Sequence, residues 1–314
     1  MKPLIEGLHH VTALGTTAQR NVDFYAGVLG LRLVKKTINF DAPEVYHLYY
    51  GDEAGSPGTI MTFFPYGDMP RGRKGPGQLT YTAFSIPQDA LRFWMDRLIA
   101  LGIPFEGPSQ RFSEMVLRLE DYDGMGVELV TAAADPRPGR ASGSIPAEYA
   151  VRGFHSVTLH ESLADPTIAL LAGTMQHQVI AQEGDRTRLS SGSGGPGAWI
   201  DVLHTPGAPR SFQGAGSVHH VAFNTASDAT QLEIREALLS AGMQVTPVLD
   251  RNYFHSVYFR EPGRILFEIA TAPPGFTADE PLNALGGSLK LPAWEEPNRS
   301  RIEAGLEAFT VNTF

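Results

Sequence analysis

The chain has 314 residues, 42% of them apolar, which is enough for two packed domains of ordinary size and too apolar for disorder. With 25 Lys and Arg against 34 Asp and Glu, its formal charge of −9 repels phosphate backbones and anionic lipid, so neither nucleic acid nor membrane is an expected partner. Cysteine is absent, which excludes disulfides, thiolate catalysis and Cys-ligated zinc and leaves His, Asp and Glu to hold any transition metal.

Taken in chain order, the sequence repeats one unit four times. The first unit, residues 7–67, opens with the strand-like run Leu8-His9-His10-Val11-Thr12-Ala13. Val22, Tyr25, Val28 and Leu29 then recur at helical spacing, and residues 46–50 and 59–64 return to strand character. The second unit, residues 77–132, repeats the plan: a strand at 79–84, a helix through Leu91, Trp94, Met95 and Leu98 that stops at Gly102, and strands at 115–119 and 126–130. Residues 135–152 are rich in Pro, Gly and Ser and read as a linker between an N-terminal domain, 1–134, and a C-terminal domain, 153–272. The third unit, 153–204, starts at Phe154-His155-Ser156-Val157 and ends on residues 199–203. The fourth, 217–272, starts at Val218-His219-His220-Val221, carries a helix that stops at Gly242, and closes with strands at 257–260 and 265–269. A tail, 273–314, holds one short helix candidate at 299–309.

Each unit reads βαβββ, an α+β pattern, and 50 to 60 residues is small for a stable domain, so the units are expected to pair. Superposing them aligns His10, Tyr81, Ser156 and His220 on the first strands and Phe63, Glu128, Asp201 and Glu268 on the last, at spacings of 53, 47, 45 and 48 residues. A lone histidine on a strand is usually a packing residue. A His-His-Val repeated at the same place 210 residues apart is not required by packing, and it points to metal ligation where units one and four meet. His10, His220 and Glu268 are thus the expected ligands of one divalent ion. Two imidazoles and one carboxylate suit Fe(II) with positions left open, Mn(II) or another divalent ion being the alternative. Phe63 is read as an apolar residue at the fourth equivalent position. Glu128 and Asp201, without a first-strand histidine, are read as hydrogen-bonded carboxylates in a degenerate second site.

Within the first unit, Asn21-Val-Asp-Phe-Tyr-Ala-Gly-Val-Leu-Gly-Leu-Arg-Leu-Val34 resembles the helix and second strand of the vicinal oxygen chelate superfamily, whose βαβββ modules pair into cupped mixed sheets around a metal. Leu8-His-His-Val-Thr12, Val34-Lys-Lys-Thr37, Tyr46-His-Leu-Tyr-Tyr50, Pro57-Gly-Thr-Ile-Met-Thr62, Arg152-Gly-Phe-His-Ser156 and Gly275-Phe-Thr277 resemble the 2,6-dichlorohydroquinone 1,2-dioxygenase type of ring-cleaving enzyme. This resemblance implies an Fe(II)-dependent, extradiol-type dioxygenase that joins O2 to a hydroquinone-type or catechol-type ring, with His10, His220 and Glu268 as iron ligands. It further implies His9, His219 and Tyr258 as proton-moving catalytic residues and Thr12 and Arg251 as substrate contacts. His255 falls near a position that is acidic in that family and is carried as a third substrate contact. In a regular strand His9 and His219 would face away from the ligands they precede, and a bulge is what would turn them inward. The alternatives are a metal-dependent lyase or isomerase of the glyoxalase kind and a metal-free protein that sequesters an aromatic ligand. No run approaches the roughly 18 apolar residues that cross a bilayer, and residues 1–7 lack the apolar core of a leader, so a soluble cytoplasmic protein is expected. The sequence leaves homo-oligomer formation open.

Overall fold

The computed structural model describes residues 3–314. All four repeats are present. Module one comprises β1 (Gly7–Gly15), α1 (Ala18–Val22) continuing into a π-helical turn (Asp23–Val28), β2 (Arg32–Asn39), β3 (Ala42–Gly51) and β4 (Ile60–Pro65). Module two comprises β5 (Gln78–Pro87), α2 (Leu91–Ala100), β6 (Phe105–Arg111), β7 (Glu114–Glu120) and β8 (Gly126–Ala132). Module three comprises β9 (Phe154–Glu161), α3 (Asp165–Ala172), β10 (Gln178–Glu183), β11 (Arg186–Ser190) and β12 (Trp199–His204). Module four comprises β13 (Ser217–Thr225), α4 (Asp228–Ser240), β14 (Leu249–Asp250), β15 (His255–Arg260) and β16 (Leu266–Thr271), and the tail adds α5 (Arg299–Gly305). The longer helices stop as their glycines direct: Gly102 and Gly242 follow α2 and α4 at φ +67° and +84°, where a residue with a Cβ is strained.

Two eight-stranded mixed sheets result, and each takes one module from each half of the chain. The first runs β14-β15-β16-β13-β1-β4-β3-β2 and joins modules four and one; the second runs β10-β11-β12-β9-β5-β8-β7-β6 and joins modules three and two. Each sheet is closed at its centre by an antiparallel pair of first strands, β1 with β13 and β5 with β9. Alternate residues of these strands serve different ends. Val11, Phe63, Val221 and Phe267 enter one hydrophobic core shared by all four modules, while His10, Thr12, His220 and Glu268 face the other way.

Strand register corrects one sequence expectation. Glu268 pairs with Ala222, two residues after His220; Glu128 pairs with Ala83, two after Tyr81; Asp201 pairs with Thr158, two after Ser156. In module one the residue two after His10 is Thr12, and it pairs with Thr62. Thr62, not Phe63, therefore stands where the other modules carry a carboxylate. Phe63 lies on the opposite face, packed on Tyr25 with ring centroids 4.4 Å apart. Connection lengths within the modules differ, and in a strand an error of one residue is a change of face.

In the second sheet Glu128 and Asp201 are hydrogen-bonded, as their lack of histidine partners suggests. Glu128 meets Arg111 at 2.8 Å, and Asp201 lies between Arg188 at 2.7 Å and Arg186 at 3.1 Å. Arg188 also reaches Glu114 at 2.7 Å, so three buried guanidinium groups balance three buried carboxylates. Removing one member leaves uncompensated buried charge. Asp201→Ala is expected to lower the free energy of unfolding by about 3–5 kcal/mol, as read by urea denaturation; a loss below about 1 kcal/mol would mean that the network is solvent-screened.

Modules three and four also meet at a pair of carboxylates. Glu161 and Glu261 are only 1% and 2% exposed, and while Glu261 accepts from Thr167 at 2.6 Å and the Ile265 amide at 2.8 Å, Glu161 Oε1 has no partner. Burial, and then the charge of Glu261, push Glu161 from its ordinary 4.5 up to about 8. Because the folded state binds this proton more tightly than the unfolded chain, its stabilising contribution is complete below the unfolded value and is lost as pH climbs to about 8. Glu161→Gln should raise the melting temperature at about pH 8 and leave it unchanged near the unfolded value; equal shifts at both would overturn this reading.

Candidate metal centre

The central β1–β13 pair brings together two copies of His-His-Val. Each copy sits on a bulge. Leu8 pairs with Phe223 and His10 with Ala222, leaving His9 as an extra residue; Thr12 pairs with His220 and Ala13 with Val218, leaving His219 extra. The bulges let consecutive imidazoles lie side by side. His9 Nδ1 is 2.8 Å from His10 Nδ1, and His219 Nδ1 is 2.7 Å from His220 Nδ1.

The remaining ring nitrogens of His10 and His220 converge on Glu268 from β16. His10 Nε2 and His220 Nε2 are 3.1 Å apart and lie 3.2 and 3.0 Å from Glu268 Oε2. All three residues are buried, and among the described residues this is the one His/Asp/Glu group with metal-binding spacing. Burial works to raise the Glu268 carboxyl, but the His10 and His220 rings outweigh it and hold the group well below the usual carboxylate range. It is therefore ionised. Ser256 donates to Oε1, whereas Oε2 has no hydrogen-bond donor.

These residues fit a divalent cation. Burial, with help from the adjacent ligand histidine, lowers His9 and His219 to about 3 each, so both are neutral and their Nδ1 atoms are able to accept. With a cation held at their Nε2 atoms, His10 and His220 would carry hydrogen on Nδ1 and donate it to His9 and His219, the arrangement by which an outer residue fixes the tautomer of a metal ligand. Three ligands at right angles about a centre roughly 2.2 Å away would stand about 3.1 Å apart, which is the spacing these three atoms have.

A cavity of about 460 Å³ opens onto the ligands and is lined, among others, by His219, His47, Tyr49, Arg251 and Tyr258. Arg251 Nε donates to Tyr258 Oη at 3.3 Å, and burial followed by the charge of Glu268 keeps the phenol neutral by raising it. Of the residues expected from sequence, His10, His220, Glu268, His219, Arg251 and Tyr258 gather at this cavity. Thr12 lies behind its wall, accepting a hydrogen bond from Thr62 at 3.0 Å. His9 is packed against Phe254, with centroids 5.0 Å apart, and does not line the cavity. His255 turns to Asp228 of α4 at 2.8 Å, away from the centre. Sequence reasoning missed His47 and Tyr49. The signal was available in Tyr46-His-Leu-Tyr-Tyr50, where the polar-tipped residues alternate as His10 and Thr12 do.

Fold and site together define a protein of paired βαβββ modules with an open two-histidine, one-carboxylate centre. The chain belongs to the Glyoxalase/Bleomycin resistance protein/Dioxygenase superfamily, whose profile matches residues 7–129 and 165–269. It is 44% identical over 305 residues to the "Putative ring-cleaving dioxygenase MhqO" of Bacillus subtilis, covering 97% of each chain. It is 35% identical to the chlorohydroquinone/hydroquinone 1,2-dioxygenase of Sphingobium indicum, covering 91% of each. A crystal structure of a "putative dioxygenase" from Bacillus subtilis superposes with a TM-score of 0.96 at 43% identity over the full length of both chains.

Loss of a ligand and loss of its outer partner are expected to differ in degree. Glu268→Gln and His220→Ala should abolish stoichiometric metal binding, while His9→Ala and His219→Ala should weaken it by about 10–100-fold in a chelator competition. Unchanged affinity in both outer variants would mean that the neighbouring imidazoles do not set the ligand tautomers.

Proposed function

We propose that this chain is an Fe(II)-dependent ring-cleaving dioxygenase, of the extradiol type, acting on a hydroquinone-type or catechol-type diol with O2. The observation that carries this reading is the three-ligand centre with one side open to a cavity, since such a set leaves adjacent positions for two small molecules. The names of the relatives point to the same chemistry. A four-ligand centre of the glyoxalase kind would need a further carboxylate, and the equivalent position holds Thr62, whose hydroxyl is engaged with Thr12 and His47.

Bound iron would be held by His10, His220 and Glu268 and would supply the one-electron chemistry that lets triplet O2 react with a singlet ring. The protein's own groups do the rest. His219, neutral and at the cavity wall, accepts from His220 at Nδ1, so its Nε2 carries the hydrogen and is placed to donate to an oxygen in the cavity. Arg251 and Tyr258 present N–H and O–H donors toward an oxygen that gains negative charge. His9 acts through His10, holding hydrogen on that ring's Nδ1. The apolar wall formed by Phe64, Phe254 and Leu266 matches a planar ring and limits water.

Protein purified without O2 and loaded with Fe(II) should consume O2 in equimolar amount with hydroquinone or catechol and give a ring-opened product, and His220→Ala should reduce uptake to background. Stoichiometric metal without O2 uptake from either diol would overturn the proposal in favour of redox-neutral chemistry; failure to bind metal would point to aromatic-ligand sequestration.

A further inference from the structure

The wall of the cavity opposite Arg251 carries a chain of hydrogen bonds with a single direction. Tyr49 Oη lies 2.8 Å from His47 Nδ1, His47 Nε2 lies 2.7 Å from Thr62 Oγ1, and Thr62 donates to Thr12 Oγ1 at 3.0 Å. Strand register builds the chain, because Thr12, Thr62 and Tyr49 pair in one row across β1, β4 and β3, and His47 follows on the same face of β3. Thr62 has one hydrogen and gives it to Thr12, so it accepts from His47. The imidazole hydrogen is then on Nε2, Nδ1 is the acceptor, and Tyr49 must donate its own hydrogen to His47. What Tyr49 presents to the cavity is an oxygen that accepts.

Three further observations make this arrangement specific. The His47 ring is clamped between Tyr49 and Phe64, with centroids 4.0 and 4.3 Å away, so its two nitrogens stay aimed at Tyr49 and Thr62. Burial holds His47 well below its ordinary range, so it carries no second hydrogen. Tyr49 lines the cavity with its hydroxyl bonded to His47, while its ring packs on Phe276 at 5.0 Å. The two walls thus differ in kind: Arg251 and Tyr258 donate, and Tyr49 accepts.

We infer that Tyr49, held by His47, receives the second hydroxyl of the ring and so selects diols over monophenols. The inference rests on the dioxygenase reading for the identity of its ligand. A ring with one hydroxyl at the metal centre and a hydrogen still on the other satisfies both walls, whereas a monophenol offers the Tyr49 oxygen no donor.

The test reads binding in the metal-loaded protein without O2, by titration with hydroquinone and with phenol. Tyr49→Phe keeps the ring and its packing. It should weaken hydroquinone by about tenfold and leave phenol within about twofold. His47→Phe should lower the hydroquinone preference as well, because it releases the Tyr49 hydrogen, and His47→Gln should restore it, since one amide both donates to Thr62 and accepts from Tyr49. Equal weakening of both ligands in Tyr49→Phe, or no weakening, overturns the inference; should that variant not fold, equal preference in His47→Phe and His47→Gln does so. Wild-type protein that discriminates the ligands yet consumes no O2 would overturn the dioxygenase reading alone, and O2 uptake with undiminished discrimination in Tyr49→Phe would overturn this inference alone.

Discussion

Two imidazoles and an ionised carboxylate, buried with their lone pairs turned toward one another, form the constraint on which the first sheet is organised. Each ring is held in place by a neighbouring histidine at its Nδ1, which leaves Nε2 aimed at the carboxylate. A divalent cation is what makes the arrangement favourable. The pairing of β1 with β13 sets His10 against His220, 210 residues apart, and leaves β16 beside them to supply Glu268. The matched bulges recur at the same places in the β5–β9 pair and so belong to the pairing of the modules; in the first sheet they bring two consecutive histidines side by side.

The second sheet answers the same electrostatic demand without a metal. Glu128 and Asp201 occupy the register positions of Glu268, and there the positive charge comes from Arg111, Arg186 and Arg188. A buried carboxylate facing the hollow of a sheet needs a cation, and a guanidinium is a cation that cannot leave. One cup is thereby a structural joint between modules two and three. The other has no such guanidinium among the described residues and opens onto a cavity of about 460 Å³.

Much of this was legible in the residues. Four βαβββ units, the glycine stops after α2 and α4, and the convergence of His10, His220 and Glu268 all follow from repetition, because a repeated pattern carries register information that a single copy lacks. Where repetition was imperfect the reading slipped. Phe63 was aligned with Glu268 by counting, and connections of unequal length moved the true equivalent to Thr62, on the opposite face. His9 and His219 were indeterminate for a related reason: their orientation depends on bulges, which are properties of strand pairing and leave no mark in one strand's alternation. His255 was placed by analogy at the hairpin, and its nearest charged partner, Asp228, belongs to a helix 27 residues earlier that no local pattern connects to it.

Thr62 shows why a single position decides more than its own contact. A carboxylate there would have faced the centre from module one as Glu268 does from module four, completing a symmetric four-ligand set and filling the open side. A threonine is too short and too weakly acidic to ligate, and its hydroxyl is instead a two-way hydrogen-bond junction between Thr12 on the strand of His10 and His47 on the cavity wall. The lack of a carboxylate at this position and the ordering of the wall therefore rest on one residue. The asymmetry between modules one and four, slight in a sequence of near-repeats, turns a closed site into one with an exposed face and a wall of fixed polarity.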